Sequence, residues 1–250
     1  MRKNLVMSPA QECELLHQFL QALLSKYQRC ALVLPDGRCL AVQSDDVADL
    51  GTLPVAAHVA NQYLKLNDGD ICLLNDPFSG GTSLAALTWV LGVKLGGPDK
   101  DKSKKADLLM AWRHALQPTG WGKDSMHAEG IRIPPTPLVT DGVPNDPIIE
   151  AISQHPQCPA AFKALNERIL SELQALPEVI RGMEETSGLK LSKFPYKNYL
   201  DRSRALAETH LHELSTGEGK VTSRLSTGER ISLRLEVHEG QMLADFSGSE

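Results

Sequence analysis

The side chains best suited to chemistry in this sequence are those of Asp76, His114 and Arg132. A carboxylate and an imidazole can transfer protons, and a guanidinium can bind a carboxylate or a phosphate through two parallel hydrogen bonds. We interpret the three as candidate catalytic residues. Arg132 stands between Ile131 and Ile133, and pairing with an acid inside the protein is the alternative for its guanidinium.

Residues 75–82, with the sequence Asn-Asp-Pro-Phe-Ser-Gly-Gly-Thr, follow a short apolar run. The end of a strand is a common place for a site, and glycines let a ligand approach backbone N–H groups closely. The candidate substrate-binding residues are therefore Asn75, Gly80, Gly81 and Thr82. The structural alternative is an Asx-turn before the proline, followed by a sharp glycine turn into the next strand.

His114 follows Trp112 at the end of another apolar run. Its imidazole is either a metal ligand or an ordinary hydrogen-bonded, half-buried histidine. A structural or catalytic metal usually needs three or more protein ligands, so His114 alone cannot hold one.

Composition excludes some classes of protein. A formal charge of −5 and a pI near 5.9 argue against a surface for nucleic acid, which needs a clustered excess of Lys and Arg. No apolar stretch approaches the roughly 20 residues that cross a bilayer. The five cysteines are odd in number and lack metal-type spacing, so we read them as buried thiols in a reducing compartment. We predict a cytoplasmic protein without nucleic-acid or membrane partners.

Hydrophobic periodicity predicts helices over residues 8–27, 54–66, 166–183 and 199–214. It predicts strands over residues 71–74, 84–95 and 107–112 and an antiparallel pair near the carboxyl end, turning at Gly240. Apolar runs on both sides of Pro35-Asp36-Gly37 predict a hairpin. Pro177 should end or kink the third helix. Residues 117–147, rich in Pro and Gly, should form an ordered irregular segment.

These elements predict an α+β fold, with a mixed α/β first part that contains hairpins, a helical second part and short antiparallel strands at the end. We place a first domain at residues 1–147. Residues 148–250 form a helical segment, with the terminal strand pair, packed on the same core.

Four strings resemble the hydantoinase B/oxoprolinase family in order and separation. They are residues 30–38 with 50–54, residues 69–82, residues 129–135 and residues 244–249. The chain resembles the amino-terminal half of that family, and the related ketone carboxylases have similar subunits. The resemblance implies a divalent metal in this chain and a hydantoinase A-type partner that uses ATP to phosphorylate a cyclic amide. The B part then completes hydrolysis, or carboxylation in the ketone enzymes.

The family's ligand positions are substituted in this chain. The resemblance puts a histidine and an aspartate where Ser83 and Ala86 stand, and a carboxylate where Gln117 stands. It puts a histidine at Asp49. Of these positions, only His114 and Asp49 keep side chains suited to bind a metal, which predicts an impaired metal site with the metal absent.

We therefore expect a subunit of an ATP-dependent hydrolase of cyclic amide C–N bonds, such as a hydantoin or 5-oxoproline, shortened relative to the family. Whether this chain is itself an active enzyme stays open. One alternative is a non-catalytic accessory subunit, and another is a subunit of a ketone carboxylase. The expected partners are a hydantoinase A-type subunit, a small-molecule substrate and a second chain that completes the fold.

Overall fold

A computed structural model describes residues 7–96, 104–116, 130–214, 217–225 and 228–250. The chain divides into two compact units, one of residues 10–194 and one of residues 195–250 with the start of the chain up to Pro9. The domain boundary expected after residue 147 falls inside helix α3, Asp146–Ser153. The division at that point stays a prediction.

The first unit contains a seven-stranded sheet among its described residues, in the order β2-β1-β5-β4-β3-β6-β7 with every neighbouring pair antiparallel. The strands are β1 Cys30–Val33, β2 Cys39–Gln43, β3 Ile71–Leu74, β4 Ala86–Val93, β5 Leu108–Ala115, β6 Thr136–Thr140 and β7 Val143–Pro144. Together with the helices, this sheet confirms the α+β class.

Both faces of the sheet are covered. Helix α2, Val47–Leu64, packs on one face, where Leu53 and Ala57 join Val90 and Ala111 in an apolar cluster. Neighbouring strand residues point to opposite faces, so Trp89 lies on the other face. There its Nε1 donates to Oδ1 of Asn166 at 2.9 Å. Asn166 belongs to helix α4, Phe162–Ser187, and helix α1, Pro9–Leu24, buries Leu16, Phe19, Leu20 and Leu23.

The hairpin prediction at residues 35–37 is confirmed. The chain reverses between β1 and β2, where Gly37 has a φ of +94° and its N–H donates to the carbonyl of Leu34 at 2.8 Å. A left-handed φ is easily reached by glycine alone, which explains the residue at this point.

Pro54 and Pro177 lie inside helices, so the prediction that Pro177 ends its helix is wrong, while the alternative that it kinks the helix stays a prediction. Helix α4 runs through Pro177 to Ser187, and helix α2 begins seven residues before Pro54. A proline costs an interior helix about 3 kcal/mol. Buried apolar residues on both sides of Pro177, including Leu173 and Ile180, offset that cost. At the start of α2, Asp46 accepts from the N–H of Ala48 and caps the helix.

The segment expected to be irregular, residues 117–147, contains strands in its described part. Strands β6 and β7 occupy residues 136–140 and 143–144, and residues 117–129 lie outside the described part of the chain. Pro137 hid β6 in the sequence because proline cannot donate to a strand ladder. It pairs with Cys72 beside a shift of register.

The second unit contains helix α5, Tyr196–Glu213, and a three-stranded antiparallel sheet in the order β10-β9-β8. The strands are β8 Gly217–Arg224, β9 Arg230–His238 and β10 Gln241–Asp245. The terminal strand pair and its turn at Gly240, with a φ of +74°, are confirmed. Strand β8, largely polar, was missed. In the part of the chain that the structure describes, no helix is both long and apolar enough to span a membrane.

Candidate functional site

The loop between β3 and β4 carries the candidate substrate-binding residues, and its first member, Asn75, is fully buried. The Asn75 side-chain amide donates to the carbonyls of Leu84 and Ile131, both at 2.8 Å. Its oxygen accepts from the N–H of Ile133 at 2.7 Å. Both donors and the acceptor are thereby used inside the protein. Asn75 therefore ties Leu84 to residues 131–133 and has no free N–H to offer a substrate.

The two glycines of the loop are required by close backbone approaches. Gly80 has a φ of +89°, and a Cβ there would lie 2.5 Å from the backbone nitrogen of Ala56 on α2. A Cβ on Gly81 would overlap the carbonyl oxygen of Asn75. These contacts favour the turn interpretation over a cradle for a ligand. Thr82, the next residue, is partly exposed.

Asp76 and Arg132 are brought together by the fold. Nε of Arg132 lies 3.1 Å from Oδ1 of Asp76, and its Nη2 donates to Oδ2 at 3.4 Å. Asp76 is buried and also caps the short 3-10 helix Pro77–Ser79 by accepting from the N–H of Phe78. Its carboxylate therefore orients Arg132, which is the alternative that the sequence left open.

Arg132 and Phe78 form an exposed pair next to this carboxylate. The Phe78 side chain is 83% exposed, and the guanidinium carbon of Arg132 lies 5.5 Å from the centre of its ring. The Arg132 side chain is 51% exposed. An arginine oriented by an acid and flanked by an aromatic ring can bind a planar anionic group from solvent.

A second charged group, missed in the sequence, is centred on Arg113 and Asp49, whose side chains have no exposure. Asp49 accepts four hydrogen bonds, which is about the capacity of a carboxylate. Its Oδ1 accepts from Nη1 of Arg113 at 2.7 Å and Nη2 of Arg29 at 3.1 Å. Its Oδ2 accepts from Nε of Arg29 at 2.5 Å and Oγ of Ser44 at 2.8 Å.

Burial alone would raise the pKa of Asp49, but hydrogen bonds from Arg29, Ser44 and Arg113 outweigh it and lower that pKa. Asp49 is therefore a carboxylate at neutral pH. For Arg113, burial lowers the pKa, and the hydrogen bond and charge of Asp49 act in the opposite direction. A sequence signal for this group exists: Arg113 is a charge inside the apolar run of β5, and such residues are rarely buried without a partner.

The structure does not bring His114 and Asp49 together. Arg113 faces α2, so the next residue, His114, points to the opposite face of the sheet. Burial lowers the pKa of His114, and the nearby charges of Arg168 and Arg29 lower it further. The imidazole favours its neutral form on the side of the sheet away from Asp49.

Among the residues that the structure describes, those at the ligand positions implied by the family resemblance do not fit a metal. Asp49 has no acceptor capacity left, and Ser83 and Ala86 supply weak or no ligand atoms. Gln117 lies outside the described residues. Among the residues that are described, no group of three or more His, Cys, Asp or Glu side chains could hold a metal ion.

Comparison with known proteins gives a family and a fold. Residues 27–250 match the hydantoinase B/oxoprolinase family. An uncharacterized protein of Methanocaldococcus jannaschii is 20% identical over 233 residues, which cover 88% of this chain and 40% of that protein. The chain thus spans less than half the length of this curated relative.

Two solved structures share the fold. One is an ATP-dependent caprolactamase from Pseudomonas jessenii, with a TM-score of 0.71 and 16% sequence identity. The superposition covers 96% of this chain and 46% of the caprolactamase chain. A nucleotide-free acetone carboxylase, described as carboxylating acetone with ATP, also gives 0.71, at 12% identity, covering 96% of this chain and 37% of its own.

Proposed function

Because the chain belongs to the hydantoinase B/oxoprolinase family, we propose that it is the B-type component of an ATP-dependent complex that opens a cyclic amide. The observation that carries the proposal is the family match over residues 27–250, supported by a fold shared with an ATP-dependent caprolactamase. The substrate class is a hydantoin, a 5-oxoproline or a related lactam. The described residues offer no phosphate-binding glycine loop with a lysine, so ATP is used by a hydantoinase A-type partner.

The metal site is impaired in this component. Asp49 is saturated by two arginines and a serine, and His114 points to the other face of the sheet. In this proposal the chain contributes to the reaction by binding and orienting the substrate rather than through a bound metal. Absence of a metal stays a prediction, and the first measurement is the metal content of the purified chain.

Arg132 is the residue we assign to the substrate. A phosphorylated amide carries negative charge, and a half-exposed guanidinium held by Asp76 can bind its oxygens through two hydrogen bonds. Phe78 gives the same surface an apolar flank for the ring. Asp76 acts through Arg132 and is a positioning residue in this proposal.

The test mixes the chain with a hydantoinase A-type partner and measures ATP hydrolysis with hydantoin, 5-oxoproline or caprolactam. Arg132→Ala should lower kcat/KM by about 10- to 100-fold, since a charge-assisted pair contributes roughly 1.5–3 kcal/mol. Arg204→Ala on α5 is the matched control for loss of one exposed arginine. No association and no amide-dependent turnover with any partner would contradict the proposal.

Two other functions have supporting observations. The likeness to an acetone carboxylase favours a ketone carboxylase subunit, which predicts ATP consumption that depends on ketone and bicarbonate. The saturated Asp49 favours an accessory subunit, which predicts association with the partner but unchanged turnover in Arg132→Ala. A second chain that supplies the rest of the family fold stays a prediction for all three.

A further inference from the structure

One peptide unit of the glycine loop joins the buried Arg113 to Asp76, the residue that orients Arg132. The carbonyl of Gly80 accepts from Nη2 of Arg113 at 2.5 Å. The N–H of Gly81, on the other side of the same peptide bond, donates to the backbone carbonyl of Asp76 at 2.9 Å. A peptide bond is planar, so the direction of its carbonyl fixes the direction of its N–H. Rotation of this peptide unit would break both hydrogen bonds together.

We propose that Arg113 is a positioning residue for Arg132, because it fixes this glycine peptide and, through it, the carboxylate of Asp76. The inference rests on the proposed function, in which Arg132 binds the phosphorylated amide. The side chain of Arg113 has no exposure, so it acts on the substrate through the loop and not by contact.

The guanidinium of Arg113 is itself held in place by three further oxygens. Its Nε donates to Oγ1 of Thr88 on β4 at 2.8 Å. Its Nη1 donates to Oδ1 of Asp49 and Oγ1 of Thr52, both on α2 and both at 2.7 Å. An arginine presents its donors in a rigid planar fork, so these three bonds determine where Nη2 points. The sheet and the helix thereby set the position of the Gly80 carbonyl.

The glycine peptide depends on this hydrogen bond for its orientation. Gly80 is buried, and a buried carbonyl without a donor is costly, so the peptide would turn if the guanidinium were lost. Glycines on both sides make that rotation easy, because neither has a Cβ that restricts its dihedral angles. A charge-assisted bond from Arg113 is stronger than a neutral one and selects a single orientation.

Asp76 is tied to the same turn through both its backbone and its side chain. Its carbonyl accepts from the N–H groups of Ser79 and Gly81, both at 2.9 Å. Its carboxylate accepts from Oγ of Ser79 at 3.3 Å and from the N–H of Phe78 at 3.2 Å. All these donors belong to the turn that ends at the glycine peptide. A shift of that turn therefore moves the carboxylate, whose Oδ1 lies 3.1 Å from Nε of Arg132.

The first measurement needs neither a partner nor ATP. Nuclear magnetic resonance follows the exchange of the Nε hydrogen of Arg132 with water, and Arg132→Ala assigns the signal. In Arg113→Lys the positive charge stays, but a single nitrogen cannot serve all four oxygens. We expect exchange at Arg132 to become at least about 5-fold faster in this variant, since the contact with Asp76 opens more often.

Arg29→Lys is the matched control. It makes the same change at the other arginine beside Asp49, and the Arg29 side chain bonds Asp46 and Asp49 rather than the loop. We expect it to lower Tm, as Arg113→Lys does, but to leave the exchange at Arg132 within about 1.5-fold of wild type. Loss of stability alone thus does not move the measured quantity.

A double-mutant cycle tests the effect on the reaction, with the partner and substrate of the proposed function. Arg113→Lys should lower kcat/KM by about 5- to 10-fold, since Arg132 meets the substrate in the wrong position more often. In the Arg132→Ala background the same change should alter kcat/KM by less than about 2-fold, because no guanidinium is left to position. A merely structural role of Arg113 would give equal factors in both backgrounds.

Two results would overturn the inference. One is exchange at Arg132 that is as slow in Arg113→Lys as in wild type, and the other is an equal factor in both backgrounds of the cycle. If Arg113→Lys does not fold, Thr52→Val, which removes one acceptor of Nη1, takes its place in both measurements with the same criteria. Absence of turnover with every partner would contradict the proposed function, and the exchange measurement would still decide whether Arg113 positions Arg132.

Discussion

The carboxylate of Asp49 uses all of its hydrogen-bond acceptor capacity inside this protein. It has no exposure, and four donors from two arginines and a serine surround it. Losing one partner of a buried ion pair costs about 3–5 kcal/mol, because the other charge stays buried without compensation. Asp49 stands at a position where the family resemblance implies a metal ligand, but here it stabilises the fold through its ion pairs.

The stability that Asp49 contributes should depend on pH. Its folded-state pKa is lowered, so the contribution is present above the unfolded value of about 3.9 and is lost as the pH falls through the folded value. We expect Asp49→Asn to lower the free energy of unfolding by about 3–5 kcal/mol at pH 7. The difference from wild type should shrink below about pH 4.

Urea titrations between pH 3 and pH 7 measure this difference. Asp201→Asn, in an exposed pair with Lys197, is the control and should change the free energy of unfolding by less than about 0.5 kcal/mol. A difference for Asp49→Asn that is small at pH 7, or constant down to pH 3, would contradict the ion-pair role of Asp49.

At the scale of elements, the glycine loop depends on helix α2 and on Asn75. We expect Gly81→Ala to lower the free energy of unfolding by more than about 2 kcal/mol, because its Cβ would overlap the Asn75 carbonyl. Gly51→Ala is the matched control: a Cβ on Gly51 meets nothing within 4 Å on the exposed side of α2. There alanine should stabilise by about 0.5–1 kcal/mol through helix propensity.

Thermal unfolding followed by circular dichroism compares the two variants. Equal effects of Gly81→Ala and Gly51→Ala would mean that the loop adjusts freely, and the turn interpretation of residues 80–81 would be wrong.

Strong local patterns predicted most of the elements. The hairpin at Gly37, strand β3 and helices α1 and α5 were found because periodicity and turn residues are local signals. The start of α2 before Pro54 and the continuation of α4 past Pro177 were not predicted. Each depends on burial of the helix against the sheet, which outweighs the local effect of the proline.

The candidate site was predicted less well. The pairing of Arg132 with Asp76 was one of two alternatives, and 56 residues separate them. The Arg113 group was missed because its partners come from segments far apart in the chain. That His114 and Asp49 lie on opposite sides followed only once β5 was known to form a central strand facing α2.

At the scale of the whole molecule, the chain divides into two compact units, and the division expected after residue 147 stays a prediction. Residues 10–194 contain the seven-stranded sheet and the helices on both of its faces. The expected boundary at residue 147 would remove helix α4, whose Asn166 binds the indole of Trp89. A stable first unit needs both helical layers, because each covers an apolar face.

We therefore expect residues 7–194 to fold alone and residues 7–147 not to. The measurement is the near-ultraviolet circular dichroism of the buried Trp89 together with cooperative urea unfolding of each fragment. A cooperative transition in the shorter fragment, or a molten longer one, would contradict the two-unit organisation.

The hydrogen bonds of Arg113 also bear on the order of folding events. Its partners Thr88, Gly80 and Asp49 lie 25, 33 and 64 residues away along the chain. Closing such loops is slow, and the charges lose water only when all the segments have arrived. The cluster should therefore form after the rate-limiting barrier, so that weakening it accelerates unfolding and leaves the folding rate nearly unchanged. The hydrogen bonds of Arg113 would then form after the sheet has assembled, and their main kinetic effect would be to slow its unfolding.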